Sequence, residues 1–223
     1  MVVLFSHQKG GVGKSTIAIN FAYQVQNRYE DIAILDLDSQ HSAILFNQLR
    51  VSVKLQTIKC VTQKDVDLIE FLSHYKSNEN NLLIIDSGGY DSDINRIALI
   101  KADIIITPLG ISQIEIFGLQ KFRKILKDAS EALGKTIKTN VILNNVDSRS
   151  KSKLKDLKEY IKEKQNYFNL LDTTLYSRAD YKNSYGDGLT VKEYSKKGQA
   201  QEEIKEFTKE IYKLLNNQFN TSI

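Results

Sequence analysis

The chain has 223 residues, 41% of them hydrophobic, with a formal charge of +4 and an isoelectric point near 8.9. That length builds one well-buried core, and neither an apolar run of about eighteen residues nor a charged leader ahead of an apolar segment is present, which argues against a membrane-spanning or secreted chain. The single cysteine, Cys60, excludes an internal disulfide and a cysteine metal site, and the mild basicity permits contact with nucleic acid or acidic lipid without demonstrating it. One soluble, cytoplasmic domain over residues 1–223 is the expectation. In chain order, apolar and β-branched runs at 2–5, 32–36, 55–61, 82–86, 104–107, 139–143 and 172–175 read as strands. Helical periodicity between them predicts helices over 15–28, 42–49, 64–75, 93–101, 113–131 and 151–164, with a last helix over 199–217. This alternation is the mark of βαβ units, hence an α/β fold with a doubly wound, mostly parallel sheet flanked by helices. Residues 176–197, rich in Tyr, Lys, Gly and Ser, read as a structured loop region with one short helix. Ligands in such folds bind beyond the carboxyl ends of the strands, so the residues that follow each strand carry the functional question.

After the first strand comes His7-Gln8-Lys9-Gly10-Gly11-Val12-Gly13-Lys14-Ser15-Thr16. A strand, a glycine-rich turn and a helix aim several backbone N–H groups and the positive end of a helix dipole at one point, which suits a phosphate chain. Lys14 reaches β- and γ-phosphates and the Ser15 hydroxyl ligates Mg²⁺ in the pattern G-x-x-x-x-G-K-[ST]. The fit is imperfect, because position 8 holds Gln where the pattern has its first glycine, and a second lysine, Lys9, stands at the loop entrance.

The second strand ends in Asp36-Leu37-Asp38-Ser39-Gln40, two carboxylates that share a face by period-2 alternation. A metal, a lysine or a water to be activated would reconcile their charges; a solvated turn is the plainer alternative. The fourth strand ends in Asp86-Ser87-Gly88-Gly89-Tyr90-Asp91, the form of a Walker B segment whose carboxylate holds Mg²⁺, followed by glycines that permit a loop able to change conformation.

These segments resemble the deviant Walker A ATPases of the ParA/MinD group, a class of P-loop NTPases. The likeness rests on the run Lys9–Thr16, on Asp36-Leu37-Asp38-Ser39-Gln40 and on Asp86-Ser87-Gly88-Gly89. It extends through Ala102-Asp103-Ile104-Ile105-Ile106-Thr107-Pro108 and Gly188-Leu189-Thr190-Val191-Lys192-Glu193-Tyr194. The family usually has Pro where this chain has Ser39. The short chain, with no N-terminal DNA-binding extension, is most similar to the small ParA partition ATPases. The resemblance implies ATP and Mg²⁺ as ligands, with Gly10, Gly11, Val12 and Gly13 cradling phosphate. It implies Lys9 as the signature lysine that reaches a partner subunit's phosphates, Lys14 as phosphate ligand in its own subunit and Thr16 at the α-phosphate. Ser15 and Asp86 would serve the metal, Asp38 would orient or activate the attacking water, and Asp36 would support the loop and metal. Asn144 and Asn145, after the sixth strand, stand where this class often contacts the base, although both are also ordinary turn formers. Tyr176, Arg178 and Tyr181 are candidates to stack on it.

The densest basic stretch holds Arg149, Lys151, Lys153, Lys155, Lys158, Lys162 and Lys164, of which Lys151, Lys155, Lys158 and Lys162 share a helix face. A solvated face is the ordinary reading of such a run. The resemblance adds another: ATP-bound homodimers of small ParA proteins bind DNA without sequence preference, and Arg178, Lys196 and Lys197 match that basic region in approximate position. It further implies a ParB-like or ribbon-helix-helix centromere-binding protein that stimulates slow hydrolysis, a cytoplasmic location and nucleoid association with ATP bound. The last helix places Ile204, Phe207, Ile211, Leu214 and Leu215 on one side. Its mixed, acidic polar face favours docking on the sheet over a membrane anchor, so no stable membrane binding is expected. The alternatives are a MinD-like or cargo-positioning ATPase and a nucleotide switch that does not hydrolyse. A redox enzyme on the same scaffold would need paired cysteines for its cluster, and Cys60 stands alone.

Overall fold

Val2, Val3, Leu4 and Phe5 make β1 (Val2–Phe5), a strand with every side chain buried, which requires helices on both of its faces. The structure, a computed structural model, describes residues 1–220; residues 221–223 and the side chains of Lys151 and of residues 217–220 lie outside the description. The other strands are β2 (Asp31–Asp36), β3 (Lys59–Thr62), β4 (Asn81–Asp86), β5 (Ile104–Leu109), β6 (Thr139–Val146) and β7 (Phe168–Tyr176). They form one seven-stranded sheet in the order β3-β2-β4-β1-β5-β6-β7. Every pairing is parallel, so the expected mostly parallel sheet is wholly so.

The helices are α1 (Lys14–Val25), α2 (Ser42–Ser52), α3 (Leu68–Ser77), α4 (Asp93–Lys101), α5 (Gln113–Leu133), α6 (Lys151–Glu163), α7 (Ala179–Gly186), α8 (Val191–Tyr194) and α9 (Gln199–Asn220). Alternation along β1 divides them. Val3 and Phe5 face a core built with α1, α2, α8 and α9. Val2 and Leu4 face a second core built with α3, α4, α5 and α6. The last helix docks as its amphipathic pattern predicts, with Ile204, Phe207, Ile211 and Leu215 buried and Leu214 partly so. Phe207 meets Phe5 and Phe21 with ring centroids 6.4 and 5.9 Å apart, so its truncation to Ala should cost about 3–5 kcal/mol.

Several segments depart from the sequence-based expectation; β6 runs on to Val146 rather than 143, and β7 begins at Phe168 rather than 172. β3 begins at Lys59 rather than 55, because side chains take the backbone groups just before it: Arg50 Nε donates to Gln56 O and Ile58 N donates to the Tyr23 hydroxyl. α3 starts at Leu68 rather than 64, where Asp67 accepts the Glu70 N–H as an N-cap. Residues 176–197 hold two helices rather than one. Tyr181 and Tyr185 of α7 pack against the core, and α8 opens on a reciprocal capping box between Thr190 and Glu193.

Candidate nucleotide-binding site

The loop after β1 turns through Gly11 and Gly13, whose φ values of 76° and 95° lie in the left-handed region open to glycine. Gly13 is the N-cap of α1, and a Cβ there would stand 2.3 Å from Asn144 Nδ2. The Asn144 amide occupies that space and donates to Val12 O at 2.7 Å. Lys14 is almost fully buried in the first turn of α1, with Nζ donating to Lys9 O at 3.2 Å. Burial lowers its pKa, while the Asp86 and Asp38 carboxylates act to raise it. Lys9 lies partly exposed at the loop entrance, with Nζ 3.7 Å from Glu115 Oε1 of α5. That carboxylate also accepts from Gly110 N and the Ser112 hydroxyl, which turn it toward the loop. Gly89 closes the arrangement, since a Cβ there would come within 2.8 Å of Gly10 N.

The three carboxylates differ sharply. Asp36 and Asp86 are register partners across β2 and β4. Asp36 spends its oxygens on backbone donors, Oδ1 accepting from Asp38 N and Oδ2 from Ala43 N and Ile44 N, which caps α2. Its pKa is raised by burial, those three hydrogen bonds acting the other way. With its oxygens engaged in this way, Asp36 holds the turn that carries Asp38 and fixes the start of α2. Asp38 is half-buried; its Oδ1 accepts from Gln40 N and its side chain lines the cavity. Asp86 is fully buried, and neither of its oxygens has a hydrogen-bond partner among the described residues. Burial pushes its pKa up to about 7. The Asp36 and Asp38 carboxylates add to this, and Ser15 and Lys14 oppose it, the Ser15 hydroxyl lying close without a well-formed hydrogen bond. An orphaned carboxylate beside a hydroxyl at a phosphate cradle fits Mg²⁺, which takes one or two protein oxygens and completes its shell with phosphate and water. In keeping with this sparse protein ligation, no cluster of three or more His, Cys, Asp and Glu side chains placed to hold a metal occurs among the described residues.

The glycine-rich loop and Asp38 open onto a cavity of about 1020 Å³, large enough for a nucleotide. One part of its lining is Gly10, Gly11, Gly13, Lys14, Ser15 and Thr16, with Asp38 and Gly89; another is Asn145, Tyr176, Arg178, Tyr181, Lys182 and Tyr185. The β6–β7 pairing is irregular between Leu143 and Val146, where Asn145 takes a φ of 53° and stands exposed. The two asparagines thus have different places, Asn144 fastening the loop and Asn145 free toward the cavity.

The basic residues do not form one surface. On α6, Lys155 and Lys162 are exposed and Lys158 is half-buried, while the side chain of Lys151 lies outside the described residues. The helix packs Leu157 and Ile161 into the core on the α3–α6 face. Lys196 and Lys197 are exposed but precede α9 on the opposite face. Arg178 is in the cavity wall, with Nη2 2.8 Å from Glu203 Oε1, where its place as a base-stacking candidate would put it.

Four residues near the site escaped the sequence reading. His7 is fully buried under the loop with both ring nitrogens unpartnered among the described residues, against α5 where a Cβ on Gly118 would approach it to 2.6 Å. Burial brings its pKa down to about 4, with Lys14 and Lys9 adding to the effect. Glu115 and Glu203 lie on helices distant in sequence, and no local signal marks them. Arg50, also fully buried, binds Glu193 through both terminal nitrogens at 2.8 Å and Gly188 O at 2.9 Å, fastening the late loop to α2. The T-x-x-E capping signature at 190–193 was the one available hint of that anchorage.

Residues 3–191 match the family model described as the CobQ/CobB/MinD/ParA nucleotide binding domain. No curated protein matches the chain. Among solved structures, an ATP complex of a McdA variant from Cyanothece is similar with a TM-score of 0.71 at 14% identity, covering 94% of this chain and 95% of that one. MinD from Aquifex aeolicus has a TM-score of 0.67 at 15% identity, with 95% and 96% covered. A protein from Borrelia burgdorferi B31, described as a plasmid partition protein and bound to AMPPNP, has a TM-score of 0.61 at 16% identity, with 100% and 99% covered.

Proposed function

Because the chain belongs to the CobQ/CobB/MinD/ParA nucleotide-binding family, we propose that it is a single-domain ParA-type ATPase whose ATP-bound homodimer holds DNA during plasmid or chromosome partition. The observation that carries the ATPase reading is the buried, unpartnered Asp86 carboxylate beside a glycine-rich loop with two lysines. In this reading Gly10, Gly11, Val12 and Gly13 donate backbone N–H groups to phosphate, Lys14 neutralises it, and Thr16 takes the α-phosphate. Ser15 and Asp86 would hold Mg²⁺, which when bound neutralises charge building on the phosphate oxygens. Asp38, fixed by the Asp36 cap, orients the attacking water and receives its proton. Phosphoryl transfer needs little more than such positioning and charge.

Lys9 is the residue assigned to a second subunit's phosphate. Its hold on Glu115 is a single long contact of 3.7 Å with Lys9 only partly buried, worth about 1 kcal/mol and weak enough to be exchanged. On α5, Ile114 and Phe117 are 66% and 51% exposed on either side of Glu115, and Tyr90 is 49% exposed, an apolar rim that favours a protein partner at this mouth. Hydrolysis that needs the partner's lysine would be slow until a ParB-like or ribbon-helix-helix protein promotes the closed dimer.

The DNA reading rests on α6, where Lys155 and Lys162 face solvent and half-buried Lys158 continues the row; by its spacing in the sequence Lys151 belongs to the same set, and Lys196 and Lys197 would serve a separate contact. Such a protein works in the cytoplasm and on the nucleoid. A MinD-like membrane-surface role has less support, because α9 buries its apolar side in the core. The test is duplex DNA binding at low salt with ATP and Mg²⁺, repeated with ADP. Binding restricted to ATP and weakened steeply by salt is expected, and absence of binding at low salt would remove the DNA role.

A further inference from the structure

We propose that Arg178 is a planar platform for the nucleotide base and that Glu203 of α9 is the positioning residue that sets it; the inference rests on the cavity being the nucleotide site. Glu203 is 13% exposed and gathers donors from the end of β7 and the start of α7. Its Oε1 accepts from Arg178 Nε at 3.1 Å and Nη2 at 2.8 Å, and its Oε2 accepts from Tyr176 N at 3.1 Å and lies 3.5 Å from the Tyr181 hydroxyl. The guanidinium is thus held by its edge. Its carbon lies 5.4 Å from the centroid of the Tyr176 ring, within cation–π range.

A guanidinium gripped by its edge keeps a planar face free, and Arg178 lines the cavity at 29% exposure beside Tyr176, Tyr181 and the exposed Asn145. Planar cations and aromatic rings stack on bases whatever their edge pattern, and an amide donates and accepts along a purine edge. The phosphate loop supplies no such surface. The structure therefore divides recognition: the Gly10–Thr16 loop binds the phosphates, and the Glu203–Arg178–Tyr176 stack retains the base. A carboxylate on a helix more than twenty positions away in sequence sets the geometry, since Arg178 is the N-cap of α7 with no side-chain cap of its own.

The test compares ATP with inorganic tripolyphosphate, which has the phosphates and no base, by calorimetry on the full chain with Mg²⁺. Wild type should bind ATP at least about tenfold more tightly than tripolyphosphate. Arg178→Lys, which keeps the charge and loses the plane, should shrink that margin about tenfold with tripolyphosphate affinity unchanged. Glu203→Ala should do the same, and Glu203→Gln, which still accepts from Tyr176 N, should recover part of the margin. An undiminished margin in Arg178→Lys overturns the platform. An equal loss of both ligands in Arg178→Lys also overturns it, since the effect would then be on the whole site. If Glu203→Ala fails to fold, Glu203→Gln carries the second arm, and its full retention of the wild-type margin with Arg178→Lys impaired overturns the positioning role. Failure of wild type to bind either ligand would refute the nucleotide site itself, a result distinct from all of these.

Discussion

Asp86→Asn isolates the effect of a carboxylate kept without partners in the middle of the sheet. Burial first, then the Asp36 and Asp38 carboxylates, raise Asp86 from 3.8 to about 7. A folded-state value above the unfolded one means that the bound proton stabilises the fold: the contribution is complete below about pH 4 and is lost as the pH rises through about 7. At about 1.4 kcal/mol for each pH unit in between, charging Asp86 costs the metal-free protein about 4 kcal/mol. Asn has nearly the same shape and no charge, and its own unpartnered amide offsets about 1–2 kcal/mol of the gain. The variant should therefore be about 2 kcal/mol more stable than wild type at pH 8 and less stable near pH 4. The assay is urea denaturation in EDTA across that range, with the difference between the two proteins taken at each pH so that other titrating groups cancel. A difference that does not change between pH 4 and pH 8 would refute the reasoning. ATP with Mg²⁺ should reverse the order at pH 8, since ligand at a hundred times its Kd adds about 2.7 kcal/mol to wild type and much less to a protein without the metal carboxylate.

His7 has the opposite sign. Its pKa is depressed to about 4 from 6.5, so its contribution is present above about pH 6.5 and is lost as the pH falls through about 4, about 3 kcal/mol in all; the stability difference between His7→Asn and wild type should vary over that window, as read by acid denaturation. Lys9→Ala should leave stability and ATP affinity within about 1 kcal/mol of wild type, because its pair with Glu115 is a single contact at 3.7 Å with the lysine partly exposed, yet impair ATP-dependent dimerisation and turnover; wild-type behaviour in sedimentation and phosphate release would reduce the loop to an ordinary phosphate cradle. Arg50→Met should cost about 3 kcal/mol, chiefly by leaving Gln56 O and Gly188 O without their donor. The lost pair to the exposed Glu193 carboxylate, which against the effect of burial Arg50 and Thr190 hold below its usual pKa, is a smaller part. Adding Glu193→Gln should recover part of that loss in thermal unfolding, and no recovery would count against the pair.

Most strand and helix positions were legible because fully buried strands such as β1 and β4 are unbroken apolar runs, and helices such as α5 carry a clear 3.6 period. The misplaced starts of β3 and α3 share a cause. At residues 55–58 and 64–67 side chains from elsewhere, or from a following turn, satisfy the backbone, and periodicity does not register such partners. Site residues set by spacing along one segment, Lys9 to Thr16 and Asp38 and Asp86 at strand ends, reach the same end of the sheet as expected. What spacing along the chain does not carry is a partner from elsewhere: the contact that fixes Arg178 comes from Glu203 on α9, and the Asn144 amide fills the space above Gly13 and donates to Val12 O while lining the cavity.

The sequence by itself determined the chemistry available: a glycine loop with two lysines, carboxylates after alternate strands, and a parallel sheet implied by βαβ alternation. These are local properties, since hydrogen-bond donors, charge and periodicity belong to short stretches of chain. Only the tertiary structure decided which charges are spent and which are free. Asp36 and Asp86 are chemically identical strand-end carboxylates and neighbours in the sheet, yet one is filled by the N–H groups of α2 and the other is left without a partner. That difference arises from where α2 begins in space, and it leaves an uncommitted carboxylate beside the glycine-rich loop.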